Sequence, residues 1–407
     1  MANPLNRRKF LQTGAVAGVA SLFSPSSLQA KSLDTIAESD IGKSKWDLDS
    51  PALCVDLDKM EQNIKKVHTR LKDTPVKVRP HIKTHKCPAI AKMQLAAGAI
   101  GVCAAKLGEV EVMLNNGIEN VLMTGVNVTA PKINKAMALR KKYKGFIQAI
   151  DNPQNAKDMQ DAAKAAGIVA DVVMDINVIQ RSGILPGAPA IALAQMIDKM
   201  PNLKFRGILA YDGIATHVVG FKARKEFNSK NLEPVVETYD KLKASGLNLE
   251  IFSGGSTGTY DMMQDIPGFT DVQVGSYVFM DRQYIEIGGE KNEKVFDDFA
   301  PSLTVLATII NMSYPGRIIT DSGAKAFTLN QPPAIVIGEP DFVYNAGSDE
   351  YGTITFDKAN KSYKIGDKLE MIVPHCDPIV NEYDFIYGIR KDKVESILPV
   401  LARGKGQ

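Results

Sequence analysis

Cysteine is scarce in this chain: four residues in 407 (Cys54, Cys87, Cys103 and Cys376), none in a C-x-x-C pair. That spacing excludes a zinc ribbon and a dense disulfide framework. Tryptophan occurs once and aromatic residues make up 7%. No charge sign dominates. The first thirty residues carry Arg7, Arg8 and Lys9 without an acid, so the remainder balances 46 basic against 46 acidic residues. A neutral body offers no electrostatic footprint for nucleic acid or an anionic membrane. No apolar run reaches about 18 residues, the length a membrane-spanning helix needs. Neither a G-x-x-x-x-G-K-[ST] nor a G-x-G-x-x-G pattern is present, nor an internal repeat or low-complexity tract. What is present is ordinary for a globular chain, with 44% hydrophobic and 23% charged residues. At roughly 100–200 residues per domain, the length suits two or three domains, or one large barrel with an appendage.

The N-terminus reads as an address. Residues 6–12 are Asn-Arg-Arg-Lys-Phe-Leu-Gln, followed by a mildly apolar stretch from Thr13 to Phe23 and then Ser-Pro-Ser-Ser-Leu-Gln-Ala. These are the three regions of an export signal, with cleavage expected after Ala30. The Arg7-Arg8 pair ahead of Phe10-Leu11 resembles a bacterial twin-arginine signal. That route carries folded, cofactor-loaded proteins, so a periplasmic protein loaded before export is expected. A plain basic tail is the alternative.

From Pro51 the chain alternates β-branched, apolar runs with Ala/Lys/Glu/Met stretches at helical spacing. The runs are Leu53–Asp56, Val76–His81, Ile100–Ala105, Asn120–Thr124, Gly145–Ile150, Asp171–Ile176, Phe205–Ala210, Leu249–Ser253 and Asp271–Tyr277. Strands alternating with ten- to fifteen-residue helices predict βα units and parallel sheet. With the first run set aside, eight strands suit a (β/α)8 TIM-type barrel over residues 61–285; a doubly wound sheet is the alternative. Polar motifs close several successive strands, as in barrels. After about residue 290 the texture turns β-rich (Ser302–Met312, Arg317–Asp321, Pro333–Ile337, Tyr351–Phe356, Lys368–Val373, Tyr383–Arg390), which predicts an all-β domain over 286–407, joined by the strand around 50–60.

Three clusters carry chemistry. Arg79-Pro-His-Ile-Lys-Thr-His-Lys86 closes the first barrel strand, and strand alternation puts Arg79, His81, Lys83 and His85 on one face. Burial and neighbouring cations are expected to depress the Lys83 pKa and make it a nucleophile toward a carbonyl. A basic surface loop is the alternative. Ser253-Gly254-Gly255-Ser256-Thr257-Gly258-Thr259-Tyr260 and Gly275-Ser276-Tyr277 close the seventh and eighth barrel strands, where barrels often hold phosphate. His375-Cys376-Asp377, at i and i+2 of an extended segment, predicts two ligands for a divalent metal (Mn, Zn, Mg or similar), or else a surface turn. Asp175 through Gly183, Tyr211 through His217, and Asp321 through Lys325 add polar residues at further strand ends.

These residues resemble a known family. Arg79 through Lys86 is similar to the cofactor-lysine motif of the D-threonine aldolase and D-serine dehydratase family. Gly275-Ser-Tyr-Val-Phe-Met-Asp281-x-x-Tyr284 and His375-Cys-Asp-Pro378 with Asn381-x-Tyr-Asp384 match further family segments, in colinear order from about Asp49 to the C-terminus. The resemblance implies pyridoxal 5'-phosphate, the alanine-racemase-like type III fold and a homodimer. It implies that Lys83 bonds the cofactor covalently, Arg181 pairs with its ring nitrogen and Tyr211 contacts it. Gly254, Gly255, Ser256, Thr257, Gly275, Ser276 and Tyr277 would hold its phosphate, His375 and Asp377 the metal, and His217 would be the acid/base. The segment after Asp175 departs from the family pattern and leaves that residue's role open. Aspartate at the i+2 position favours cleavage of β-hydroxy-D-amino acids (D-threonine to glycine and acetaldehyde) over D-serine dehydration; racemisation and simple solute binding are further readings.

Overall fold

The computed structural model describes residues 39–179 and 181–407; the export signal expected over 1–30 lies outside them. The first strand, β1 (Ala52–Asp56), runs into the helix Leu57–Leu71. The Asp56 carboxylate accepts from the Lys59 N–H and caps that helix. Leu57, Met60, Ile64, Val67 and Leu71 recur at three- and four-residue spacing, so one stripe of the helix is apolar and buried.

Eight short strands follow: β2 (Lys77–Val78), β3 (Val102–Ala104), β4 (Val121–Val126), β5 (Phe146–Ile150), β6 (Ala170–Asp175), β7 (Leu203–Ala210), β8 (Ile251–Gly254) and β9 (Asp271–Val272). They are joined in the order β2-β9-β8-β7-β6-β5-β4-β3, every pair parallel. A parallel bridge between His81 and Cys103 closes the ring. The result is a (β/α)8 barrel. Alternation decides the layers. In β5, Ile147 and Ala149 join Cys103, Leu122, Val173, Leu209 and Ile251 inside the barrel, whereas Phe146 and Ile150 pack in the layer that includes the helices.

The C-terminal part is mostly β. Its strands are β10 (Leu303–Asn311), β11 (Arg317–Thr320), β12 (Ile335–Val336), β13 (Val343–Asn345), β14 (Gly352–Thr355), β15 (Lys368–Ile372), β16 (Phe385–Arg390) and β17 (Lys393–Pro399). The sheet runs β13-β14-β11-β10-β1-β16-β17, with β15 also on β10 and β12 on β15. β1 sits in its middle, antiparallel to β10 and parallel to β16. Ile41–Gln407 hold together as one unit, and one hydrophobic core runs from Leu53 to Ala402 across both sheets.

Two local expectations are corrected. The Asp271–Tyr277 run ends as strand at Val272 and becomes a short 3-10 turn at Ser276–Val278. The Val76–His81 run pairs as a ladder only at Lys77–Val78. Pro80 has no N–H to donate and the chain turns after His81, so alternation does not carry through to residue 85. Arg79, Lys83 and His85 therefore do not share one face. β13 and β17 were not expected; their alternation is short or masked by charge.

Candidate active site

At the C-terminal mouth of the barrel lies a cavity of about 180 Å³. Of the residues predicted for a site, Lys83, Arg181, Tyr211, Ser256, Thr257, Gly275 and Ser276 line it. His81, Thr84, Thr124, Gln273 and Tyr284 line it as well.

Lys83 reaches across to the C-terminal part, where its Nζ meets Asp377 Oδ2 at 2.5 Å. Burial pulls the ammonium pKa down, but the Asp377 carboxylate outweighs it and holds Lys83 above its ordinary value. The expected depression is thus corrected: in this state the lysine is a paired cation. Burial would raise the Asp377 pKa, yet Lys83 and His375 bring it well below the usual carboxylate range. Beside Lys83, His81 accepts from the Lys83 N–H at Nδ1 (3.3 Å) and therefore carries its proton on Nε2, toward Thr124 Oγ1 at 3.2 Å. Burial and the Lys83 charge push its pKa to about 3, so it is neutral. His85 is turned away: its Nδ1 accepts from the Cys87 N–H and its Nε2 meets Gln94 Oε1.

The two glycine-rich loops form one wall. A Cβ on Gly254 would lie 1.9 Å from the Ala210 carbonyl oxygen, and one on Gly275 would lie 2.6 Å from Thr84 Oγ1. Gly255 has φ +65°, where a side chain is strained. The backbone is therefore bare at this wall, and the N–H groups of Gly255, Thr257 and Ser276 donate to no acceptor among the described residues. Such a cradle suits a phosphate. Tyr277 ties the loops together through its N–H to Thr257 Oγ1. Its side chain is not at the cavity, however. It is fully buried against Phe299, with its hydroxyl accepting from Gln94 Nε2.

Arg181 is held by Asp175, whose two carboxylate oxygens accept from Nη2 at 2.8 and 3.1 Å. Its guanidinium stands 5.7 Å from the centre of the Tyr211 ring. Burial raises the Asp175 pKa to about 6 against the opposing pull of Arg181. The role left open for Asp175 in the sequence is therefore to position Arg181.

The predicted metal ligands sit beside Lys83, but on a different backbone than expected. His375 is the extended residue before the helix Cys376–Val380, and Asp377 lies inside that helix. Asp281 Oδ2 meets His375 Nδ1 at 3.0 Å and accepts from the Cys376 N–H at 2.9 Å. Burial lowers the His375 pKa, but Asp281 outweighs it and raises the imidazole above its ordinary value. Asp281, His375 and Cys376 have ligand atoms within 4.8 Å of one another. Burial holds the Cys376 thiol well above its ordinary pKa, which makes it a poor metal ligand. Asp281 is already committed to backbone donors, including the Tyr284 N–H. Asp377 stands outside that group, its carboxylate taken by Lys83, while His375 keeps Nε2 free of any partner among the described residues and Asp281 is the carboxylate that orients the imidazole.

His217 lies on the loop after β7, exposed on one side and with its ring 4.9 Å from that of Tyr284. Desolvation and the cations His375 and Lys83 lower its pKa, partly countered by Asp281. The fully buried Arg224 pins this loop: it donates to the Val218, Gly258, Ile287 and Gly288 carbonyls. Gly254, Gly255, Tyr277, His217, His375 and Asp377 do not line the cavity itself. Asp321 and Lys325 belong elsewhere, Asp321 accepting from Ser50 and Lys325 pairing with Glu350.

Residues 55–283 match the alanine racemase N-terminal domain, and residues 302–389 match the serine dehydratase domain. The chain belongs to this alanine-racemase-like, pyridoxal-phosphate-dependent family. It is 32% identical to 3-hydroxy-D-aspartate aldolase of Paracoccus denitrificans strain Pd 1222, over 90% of this chain and 95% of that protein. It is 32% identical to D-threonine aldolase of an Arthrobacter species, over 88% and 93%. The crystal structure of D-threonine aldolase from Filomicrobium marinum superposes with a TM-score of 0.84 at 33% identity, covering 89% of this chain and 98% of that one.

Sequence reasoning singled out His81 beside Lys83 without giving it a role, and it missed Thr124, Gln273, Asp281 and Arg224 as parts of the site. Asp281 stood inside a quoted motif, but its aim at His375 depends on a contact across 94 residues of chain. Arg224 sits in the first turn of the helix Phe221–Ala244 and carried no signal.

Proposed function

We propose that the protein is a pyridoxal-phosphate- and divalent-metal-dependent lyase that cleaves β-hydroxy-D-amino acids, most simply D-threonine to glycine and acetaldehyde. The observation that carries the reading is the Lys83–Asp377 contact, which joins the lysine proposed for the cofactor to the helix that carries a proposed metal ligand. Residues at and beside the cavity fit the cofactor: Lys83 for covalent attachment, the bare backbone at Gly255, Thr257 and Ser276 for phosphate, and Arg181 for the ring nitrogen. Once bound, it supplies an electron-accepting system next to the substrate's Cα. A divalent ion held by His375 and Asp377 supplies positive charge for a substrate hydroxyl.

The protein's own groups do the rest. With Lys83 bonded to the cofactor, the Asp377 carboxylate it now pairs with would be free to hold the ion. Asp281 holds His375 in the tautomer with Nε2 open. His217, neutral at working pH, takes the proton of the β-hydroxyl. The Cα–Cβ bond then breaks: the C–O becomes the aldehyde carbonyl, the electron pair stays on Cα, and Cα takes up a proton to give glycine. Tyr284 and Arg224 keep His217 in place.

A second reading is dehydration, favoured by the match of residues 302–389 to the serine dehydratase domain. Incubating the enzyme with D-threonine, 3-hydroxy-D-aspartate and D-serine, with and without chelator, separates the two. Glycine plus an aldehyde, lost with chelator, supports the aldolase. Ammonia plus a 2-oxo acid overturns it in favour of the dehydratase, and interconversion of enantiomers without cleavage overturns both.

A further inference from the structure

A second cavity, of about 510 Å³, opens at the opposite, N-terminal mouth of the barrel. Arg79 lines it although only 6% exposed. Its Nε donates to Asp271 Oδ1 at 2.8 Å, while its Nη1 and Nη2 donate to no group among the described residues. A Cβ on Gly101 would lie 2.7 Å from the Asn120 carbonyl oxygen and 2.8 Å from Nη1, so the bare backbone there both fits against residue 120 and leaves that edge of the guanidinium open.

The charge around it is unbalanced. Three carboxylates line the cavity, and each is engaged by an arginine: Asp271 by Arg79, and Asp171 and Glu250 by Arg206. Lys77 and Lys144 also line it and form no ion pair among the described residues. A desolvated guanidinium with two open N–H edges, flanked by unmatched ammonium groups, has the chemistry of an oxyanion receptor. We propose that this mouth is a second ligand site, distinct from the active-site cavity, that binds a small oxyanion (a carboxylate or a phosphate) with Arg79 as its anchor.

The anchor is also joined to the upper cavity. Asp271 Oδ1 accepts from Ser253 Oγ at 2.6 Å, and Ser253 Oγ accepts from Gln273 Nε2 at 2.9 Å. Gln273 lines the active-site cavity. Three buried hydrogen bonds thus cross the barrel from one mouth to the other.

The test is calorimetric titration of inorganic phosphate, and separately of succinate, into protein saturated with pyridoxal phosphate so that the upper phosphate cradle is filled. Saturable binding of at least one anion is expected. Arg79→Lys, which keeps the charge but loses the fork, should weaken it about tenfold or more. If that variant fails to fold, the surface pair Lys77→Gln/Lys144→Gln still weakens binding without touching the core. No saturable binding of either anion, or binding unchanged in all the folded variants, overturns the site. Cofactor absorbance recorded on each variant keeps failure of this site distinguishable from failure of the lyase reading.

Discussion

Lys83 and His217 carry the sharpest consequences. Borohydride reduction of the yellow holoenzyme should bleach it, and mass spectrometry should find the adduct on Lys83; an adduct on another lysine contradicts the assignment. His217→Ala should lower kcat by about 10²–10⁴-fold, the usual loss for a general base, with cofactor absorbance unchanged. The pH dependence has a definite sign. Because the folded site lowers the His217 pKa, the base stays neutral as pH falls through its ordinary value of 6.5. The acid limb of the kcat profile should therefore lie below that pH and disappear in His217→Ala. Asp281→Asn tests the orienting carboxylate: it should weaken metal binding about 10–100-fold while leaving the protein yellow. Unchanged metal affinity would remove Asp281 from the metal centre.

Elements explain which of these residues can meet. The glycine loops after β8 and β9 stand side by side because the two strands pair in parallel, and Tyr277 locks them through its backbone. Its side chain instead belongs to the buried chain His85–Gln94–Tyr277. Tyr277→Phe should then leave cofactor affinity unchanged but lower unfolding stability by about 1–3 kcal/mol, the cost of a buried amide N–H left without its acceptor. Urea denaturation with cofactor titration reads both quantities. Lost cofactor affinity at full stability would return the hydroxyl to the phosphate site. The barrel was legible in the sequence because parallel strands buried on both faces read as apolar runs between amphipathic helices. The ends of β2 and β9 were not, since Pro80 and the turn at Ser276–Val278 stop the ladder before the apolar pattern stops.

For the whole chain, the first thirty residues and the folded body make separate demands. We propose export to the periplasm by the twin-arginine route. Replacing Arg7 and Arg8 by Lys keeps the charge and removes the guanidinium pair, so unprocessed protein should accumulate in the cytoplasm; unchanged export on cell fractionation refutes the route. In the folded body, periodicity alone told barrel from β-rich sheet, and the motifs at strand ends located Lys83, the glycine loops and the His375–Asp377 pair, because strand direction and spacing are local properties of the chain. Which groups touch was a different matter. Lys83 meets Asp377 across 294 residues and Asp281 meets His375 across 94. The seating of β1 between β10 and β16 adds one strand from before the barrel to the sheet that follows it. The first two contacts set the charge of Lys83 and the aim of His375, and Gln94, 183 residues away in sequence, takes the Tyr277 hydroxyl. A pKa or a tautomer answers to whatever stands within a few ångströms, and chain order does not encode that distance.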